Sequence, residues 1–457
     1  MQPVPTDSTT ADDVHMPHVL VFSRTAGFRH SSIEAGVEAV QTLGGDSYVI
    51  EHTEDPSWFT PRRLAKYDSV VFLNTTQDVL DAEQQQAFMD WYRNEGGYVG
   101  VHAAADTEYD WPWYGQLMGA GAYFKSHPQV QEADIVLEDR AHPAMQHLPA
   151  IWTCTDEWYD YRRSPRGDVH VLARMDHDTY EGEGMEGDHP IVWCQAFDGG
   201  TAFYTGRGHT DESFDEPAFL EHLDRAIQWT IDDGWIDLVP ESDTTGWVHA
   251  DGWSNVSGVK PADGTPPTFT EDNEADGSTG RVLVNTAGGK TWDLVSGLEC
   301  GDAEIHVEFM VPEGSNSGVY VQGRYEIQIF DSHDQAAPQH NHCGGIYQRW
   351  DEERSPKGFE GHSPRVNAAG EPYTWQTYDI VFRAPRFDAD GVKTENARFI
   401  RVEHNGQLIH ENVELTGPTR AGFEGEVAAG PLRLQGDHGP IAYRNIRIRR
   451  VSDPTAE

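Results

Sequence analysis

Three histidines follow short apolar runs: His30 after residues 18–22, His102 after 97–101 and His209 after 200–204. Imidazole is the side chain that carries protons near neutral pH, and in its neutral form it is a common metal ligand. His127 and Glu157 lie in segments that can reach the same place. Three imidazoles and a carboxylate at one edge can hold a divalent ion such as zinc, or work as a proton relay. Gly100-Val-His102-Ala-Ala has the small-residue spacing of a turn that lifts its central side chain clear of a sheet. Neither Ser nor Cys stands at that position, which argues against acyl-enzyme chemistry. A packed histidine in a tight turn is the plain alternative for any one of these residues.

A second set lies far along the chain. In Tyr325-Glu-Ile-Gln-Ile-Phe-Asp331, a strand turns Glu326 and Gln328 to one face and Ile327 and Ile329 to the other. An ordinary exposed strand reads the same way. Nearby aromatics and amides (Tyr320, Tyr347, Trp350, Trp375 and Gln435) shift the reading towards sugar, whose hydroxyls take hydrogen bonds and whose C–H faces stack on rings.

The elements that must position these residues differ between the two parts. Apolar runs at 18–22, 48–50, 67–74 and 97–102 alternate with helical periodicity at 33–43 and 81–94. That is the pattern of a doubly wound α/β domain with a parallel sheet, whose chemistry gathers at the carboxyl ends of the strands. Residues 131–137 and 169–175 read as further strands, and 190–194 with 200–204 as a hairpin around Asp198-Gly199-Gly200. Residues 219–231 read as a closing helix. The aromatic stretch containing Trp111 reads as a pocket wall. Beyond residue 250 no helical window follows. Short alternating runs at 303–311, 318–322, 325–330, 378–383, 398–404, 431–435 and 442–450 predict an all-β jelly-roll sandwich.

Length and composition narrow the partners. The chain has 457 residues, 76 Asp and Glu against 33 Lys and Arg, and a formal charge of −43. Two domains are expected at this length. The charge repels nucleic acid and anionic membranes, and its even spread suits high salt, where self-repulsion is screened. Cys154, Cys194, Cys300 and Cys343 are too scattered for a disulfide framework or a zinc knuckle and read as buried thiols. No apolar run reaches membrane-spanning length, and residues 1–16 read as a polar, disordered arm rather than a signal peptide. A cytoplasmic protein is therefore expected, with the oligomeric state left open.

Four blocks in order, Phe22-Ser-Arg-Thr-Ala-Gly-Phe-Arg-His30, Gly97-Tyr-Val-Gly-Val-His102-Ala-Ala-Ala-Asp106, Asp156-Glu-Trp-Tyr and Tyr204-Thr-Gly-Arg-Gly-His209, resemble the trehalose-utilisation (ThuA-like) family over about 17–235. The resemblance implies a fold like that of class I glutamine amidotransferases, with His102 at the amidotransferase cysteine position, and a link to 3-keto-sugar metabolism. After a linker at 236–250, residues 251–452 resemble the 3-keto-disaccharide hydrolase family, with a concanavalin-like fold. The motifs that carry this are Asn316-Ser-Gly-Val-Tyr, Tyr325 to Asp331, Gly344-Gly-Ile-Tyr347, Trp375-Gln-Thr-Tyr-Asp and Leu434-Gln-Gly-Asp-His438-Gly-Pro-Ile-Ala-Tyr-Arg444. Asp437 is inserted in the last of these, and a long charged loop at 350–372 departs from the family pattern.

The implied chemistry fits the residues. A ketone at C3 acidifies the C2 proton, so a base can remove it, the C1 substituent can leave, and water can add back. Glu326 and Asp331 are candidate base or acid, with His438 and His102 as further acid–base groups. Gln328, Arg444 or a bound divalent metal would stabilise the C3 oxyanion. Asn316, Gln328, Tyr347, Trp375, Gln435, Arg444 and Trp111 are candidate substrate contacts, and His30, His102, Glu157 and His209 candidate metal ligands. No nucleotide cofactor motif is present, and the expected partner is a small sugar. In the competing reading the α/β domain is the enzyme and the sandwich a carbohydrate-binding module.

Overall fold

A computed structural model describes residues 16–182, 184–239, 246–262, 267–272, 282–285 and 288–451. All of the expected N-terminal arm but residue 16 lies outside these, as does the middle of the expected linker, 240–245. The chain divides into two compact units, one of 1–136, 151–194 and 199–231, the other of 137–150, 195–198 and 232–457.

The first unit is built on a nine-stranded sheet. Its strands are β1 (His18–Phe22), β2 (Val49–Thr53), β3 (Ser69–Leu73), β4 (Gly97–Val101), β5 (Gln131–Leu137), β6 (Ile151–Asp156), β7 (His170–Met175), β8 (Pro190–Phe197) and β9 (Gly200–Thr205), in the order β2-β1-β3-β4-β9-β8-β7-β5-β6. Strands β2, β1, β3, β4 and β9 run parallel, while the β8/β7 and β5/β6 pairs are antiparallel. The sheet is therefore mixed, where the sequence pattern predicts a parallel one. Turns rather than helices connect most strands after residue 124, and short connections force antiparallel pairing.

Three helices are long enough to matter to the packing: α1 (Ile33–Gln41), α2 (Ala82–Tyr92) and α3 (Pro217–Ile231). Helix α2 starts at a capping box in which Asp81 accepts from the Glu83 and Gln84 amides while the Gln84 side chain accepts from the Asp81 amide. Strand β4 is buried along its whole length, as expected of a central strand covered on both faces. A Cβ at Gly100 would sit 3.0 Å from the Tyr98 hydroxyl and 3.2 Å from the Ala104 Cβ, so a larger residue would crowd the turn that closes on the strand.

The second unit is a sandwich of two sheets. Its strands are β10 (Trp247–His249), β11 (Trp253–Val256), β12 (Val282–Asn285), β13 (Leu294–Cys300), β14 (Ala303–Met310), β15 (Asn316–Val321), β16 (Tyr325–Phe330), β17 (Gln376–Arg383), β18 (Ala397–His404), β19 (Gln407–Leu415), β20 (Gly430–Leu434) and β21 (Ala442–Arg450). The smaller sheet has the order β10-β13-β20-β15-β16, the larger β11-β12-β21-β14-β17-β18-β19. Alternation is clean: Leu294, Leu298, Leu432, Leu434, Val319 and Ile327 from one sheet meet Ile305, Val307, Phe309, Ile380 and Phe382 from the other in the core. The Tyr378 hydroxyl donates to the Gln328 carbonyl at 2.7 Å, and the Ser317 and Tyr443 hydroxyls bond at 2.7 Å, tying the layers together. All four cysteines are free and buried. Among the described residues no helix is long and apolar enough to cross a membrane.

Candidate functional site

In the α/β unit, His30 follows β1, His102 follows β4, Glu157 follows β6 and His209 follows β9, and the four side chains meet. Each offers a ligand atom, and these atoms all lie within 4.8 Å of one another. His102 takes a left-handed backbone, φ +46°, straight after a buried strand. A non-glycine residue there is strained, as at the raised turn that presents a nucleophile in α/β enzymes. The ring is held by a 3.0 Å hydrogen bond between Nδ1 and the Gly206 carbonyl. Because a carbonyl only accepts, Nδ1 carries the proton and the Nε2 lone pair faces the cluster.

That lone pair lies 3.2 Å from His209 Nδ1 and 3.5 Å from Glu157 Oε2, and His209 Nδ1 lies 3.1 Å from the same oxygen. Tetrahedral zinc with bonds of 2.0–2.1 Å separates its donor atoms by about 3.4 Å, so the three distances fit a shared ion. Electron-rich atoms crowded this closely need a proton or a cation between them. Burial, together with its neighbours His102 and His209, pushes His30 down to about 3, which keeps that ring neutral. Its Nδ1 is buried with no hydrogen-bond partner, while Nε2 lies 3.4 Å from the Tyr159 hydroxyl. Burial opposes the charge on Glu157, but the imidazoles of His102 and His209 beside it win and hold it down at about 2. His127 Nδ1 takes the other carboxylate oxygen at 2.8 Å. The donor set fits a divalent ion.

Behind the cluster stands Asp156, fully buried. One of its oxygens accepts from the Glu157 and His209 amides at 2.9 and 3.0 Å, the other from the Gly208 amide at 2.9 Å and the Ser213 hydroxyl at 2.8 Å. Arg207, also buried, lies 3.5 Å from Asp156, forks onto Glu216 and packs between Trp152 and Phe219. Asp156 and Arg207 sit beside the singled-out Glu157 and His209, yet sequence reading assigned neither a role. Two charged residues flanking candidate ligands were the available signal. Trp111 is not at the site. Pro112 starts a short helix that turns the indole inward, where it stacks on Trp113 at 5.0 Å and meets Phe88 edge-on.

In the sandwich unit the outer face of the smaller sheet carries two rows of side chains in register. Val295, Arg433, Tyr320 and Glu326 form one, and Tyr347 extends it through its amide bond to the Glu326 carbonyl. Gln435, Gly318 and Gln328 form the other, with Asn316 one step along β15. Glu326 is only 3% exposed. Burial pushes its carboxyl up to about 8, against the pull of a hydrogen bond from Tyr320 and the charge of Arg433. Gly318 makes the room: a Cβ there would lie 2.6 Å from Glu326 Oε1. The buried Gln328 Oε1 and Asn316 Oδ1 have no hydrogen-bond partner within the chain. Arg433 stacks on Tyr320 at 4.6 Å and is fixed by Asp293 at 2.5 Å. Sequence reading passed over it, although Leu432 and Leu434 on either side mark it as facing outward.

Four candidates do not reach this face. Asp331 lies past the end of β16, where it accepts from the Gly314 amide at 2.8 Å and pairs with His333 at 2.9 Å. His438 is exposed in a turn and bonded to Asp437. Arg444 lies on the outer face of the larger sheet, paired with Glu308 at 2.6 Å, with its guanidinium 4.1 Å from the Trp375 ring. Trp375 packs against Val282, Val284, Met310 and Ala442 in the same sheet. Spacing along a sequence cannot tell which of two sheets a strand joins.

Residues 18–230 match the trehalose utilisation (ThuA) family, and residues 234–449 match the 3-keto-alpha-glucoside-1,2-lyase-like domain. Among solved structures the chain is similar to a candidate ThuA-like protein from Bacteroides uniformis, at 27% identity and TM-score 0.42, over 50% of this chain and 95% of that one. It is also similar to a candidate glycosyl hydrolase from Parabacteroides distasonis, at 25% identity and TM-score 0.33, over 48% of this chain and 84% of that one. No curated protein matches.

Proposed function

We propose, from the tandem of a trehalose-utilisation domain and a 3-keto-alpha-glucoside-1,2-lyase-like domain that makes up this chain, that it is an intracellular enzyme cleaving 3-keto-glycosides or 3-keto-disaccharides by elimination and hydration. The observation that carries this is Glu326, a lone buried carboxyl held at about 8, beside unpartnered amide oxygens on an otherwise satisfied sheet face. A carboxyl with that affinity for protons is matched to moving one near neutral pH. As carboxylate it takes the C2 proton, whose electrons form the C1–C2 double bond as the C1–O bond breaks. It then returns the proton to the departing oxygen. In the second half water adds across the double bond, hydroxyl to C1 and proton to C2, so that the net change is hydrolysis. Gln328 stands next to Glu326 on the same strand face and is the group placed to donate to the C3 oxygen, where negative charge develops. Asn316, Tyr347 and Gln435 line the same face and position the sugar ring.

One observation favours a second reading. With Asp331 and His438 elsewhere, Glu326 is the one member of the predicted acid–base set on this face, whereas the α/β unit concentrates three imidazoles and a carboxylate. There, His30, His102, Glu157 and His209 would hold a divalent ion, zinc first, and the sandwich would only bind carbohydrate. Such an ion supplies Lewis acidity towards a carbonyl oxygen. The chain's own part is to hold His102 by Gly206 and to fix Glu157 and His209 through Asp156. Assaying full-length Glu326→Gln and His102→Ala on 3-keto-trehalose and a 3-keto-glucoside separates the readings. Loss of sugar release in the Glu326 variant alone supports the first, and loss in the His102 variant alone the second. No release by the unmodified chain from either compound overturns both.

A further inference from the structure

A groove of about 700 Å³ runs over the smaller sheet of the sandwich, lined by Val248, Trp292, Asp293, Phe423, Arg433 and Asp437 among others. Its size is that of a small-molecule site. Three of its walls are apolar groups left open: Trp292 is 73% exposed, Val248 63% and Phe423 36%. An indole this exposed is unusual for so large an apolar plane, and here polar groups border it. The Trp292 backbone is pinned, its carbonyl accepting from the buried Trp253 indole at 2.7 Å, so the ring stands on a fixed base.

One residue stands between the Glu326 face and the groove. Arg433 lines it, stacks on Tyr320 at 4.6 Å and on Phe423 at 5.1 Å, and Tyr320 in turn bonds to Glu326. Its guanidinium is already neutralised by Asp293 at 2.5 Å. Together with Asp437 and the overall charge of −43, this leaves no field to attract an anion. The ligand that fits is neutral, flat and apolar on its faces, and hydroxylated round its rim. A pyranose ring is that ligand: its C–H face stacks on an indole, and its hydroxyls meet carboxylate and guanidinium.

We propose that the groove is a leaving-group subsite, in which a second pyranose stacks on Trp292 while the oxidised ring lies on the Glu326 face. This rests on the reading of the sandwich as the cleaving unit. It makes the enzyme selective for disaccharides over glycosides with small substituents. Trp292→Ala should lower kcat/KM for a 3-keto-disaccharide about tenfold more than for methyl 3-keto-glucoside, with Trp292→Phe recovering most of the loss. Saturation-transfer NMR of the full chain with unoxidised trehalose and cellobiose gives a second readout that needs no turnover. Ring-proton saturation should be present in the parent chain and lost in Trp292→Ala. If saturation is lost but no 3-keto-sugar is cleaved, the subsite stands and the reaction assignment fails. If saturation and the substrate preference are the same in parent and variant, the subsite is overturned, whatever the chain cleaves.

Discussion

Two glutamates in this chain stand at opposite ends of what a protein does to a carboxyl group. Glu157 is held down at about 2, Glu326 up at about 8. Both are nearly buried. The difference is company. Glu157 lies within 3.5 Å of two imidazoles, with a third on its other oxygen. Glu326 has a phenol and the more distant Arg433, whose charge Asp293 already offsets. Burial alone favours the neutral form, and close partners reverse it. One site is thus suited to concentrating charge and the other to keeping a proton. A loop-built cluster at a sheet edge can draw ligands from four places, whereas a strand face offers only what the register places there.

The largest effect should come from the proton-keeping side. Glu326→Gln keeps the shape and removes the titration, so kcat on a 3-keto-glycoside should fall about 1,000-fold. A loss under tenfold would break the contrast. On the other side, plasma mass spectrometry after zinc dialysis should find one ion per parent chain, with affinity falling more than about 100-fold in His102→Ala, beyond what outer-shell changes do. Equal, near-zero metal in both would leave the cluster as a proton relay.

Asp156→Ala should destabilise the α/β unit by about 3 kcal/mol in denaturant unfolding, because it leaves the Glu157, Gly208 and His209 amides without their acceptor and takes from buried Arg207 one of its two carboxylates. A loss under 1 kcal/mol would mean that Asp156 does not hold the cluster. Next comes pH. If Glu326 is the proposed base, it acts from its carboxylate form and, held at about 8, should make kcat/KM rise about tenfold above pH 7 and level off beyond pH 9. Stability should move the other way. Between the usual carboxylate range and about 8 the folded chain keeps a proton that the unfolded chain releases, so stability declines as pH climbs through that window. A kcat/KM that falls over the same span would make Glu326 the acid alone. Smallest is salt: at a formal charge of −43, molar KCl should raise Tm by several degrees through screening, and a Tm that falls would remove the case for a salt-adapted surface.

The elements were more legible than the sites. Buried runs such as 18–22 and the alternation at 325–330 lie close to the observed strands, because period and apolar content are local properties. The three histidines of the cluster were also legible, since carboxyl ends of parallel strands share an edge whatever the strand order, and Glu157 joins them from the end of the antiparallel β6. Asp331 misses the face because β16 ends at Phe330, one residue before it; Arg444 and Trp375 were misplaced for a reason local pattern cannot reach. Assigning them needs the sheet to which each strand belongs, which is fixed by pairings more than a hundred residues apart, as between β14 and β21. Asp156 and Arg207 escaped because a buried ion pair looks, in sequence, like any two charges.

The pairing of β15 with β16 also acts as a check on assembly. Tyr320 lies opposite Glu326 and Gly318 opposite Gln328. Moving one strand by a single residue would turn Ile327 and Ile329 to the polar outer face and drive Glu326 and Gln328 into the apolar interior. No half-correct version of this sheet could keep the fold and lose only the site. A chain that has folded well enough to escape proteolysis has, by the same alignment, assembled its Glu326 face, so stable misfolds of this half that lack that face should be scarce in the cell.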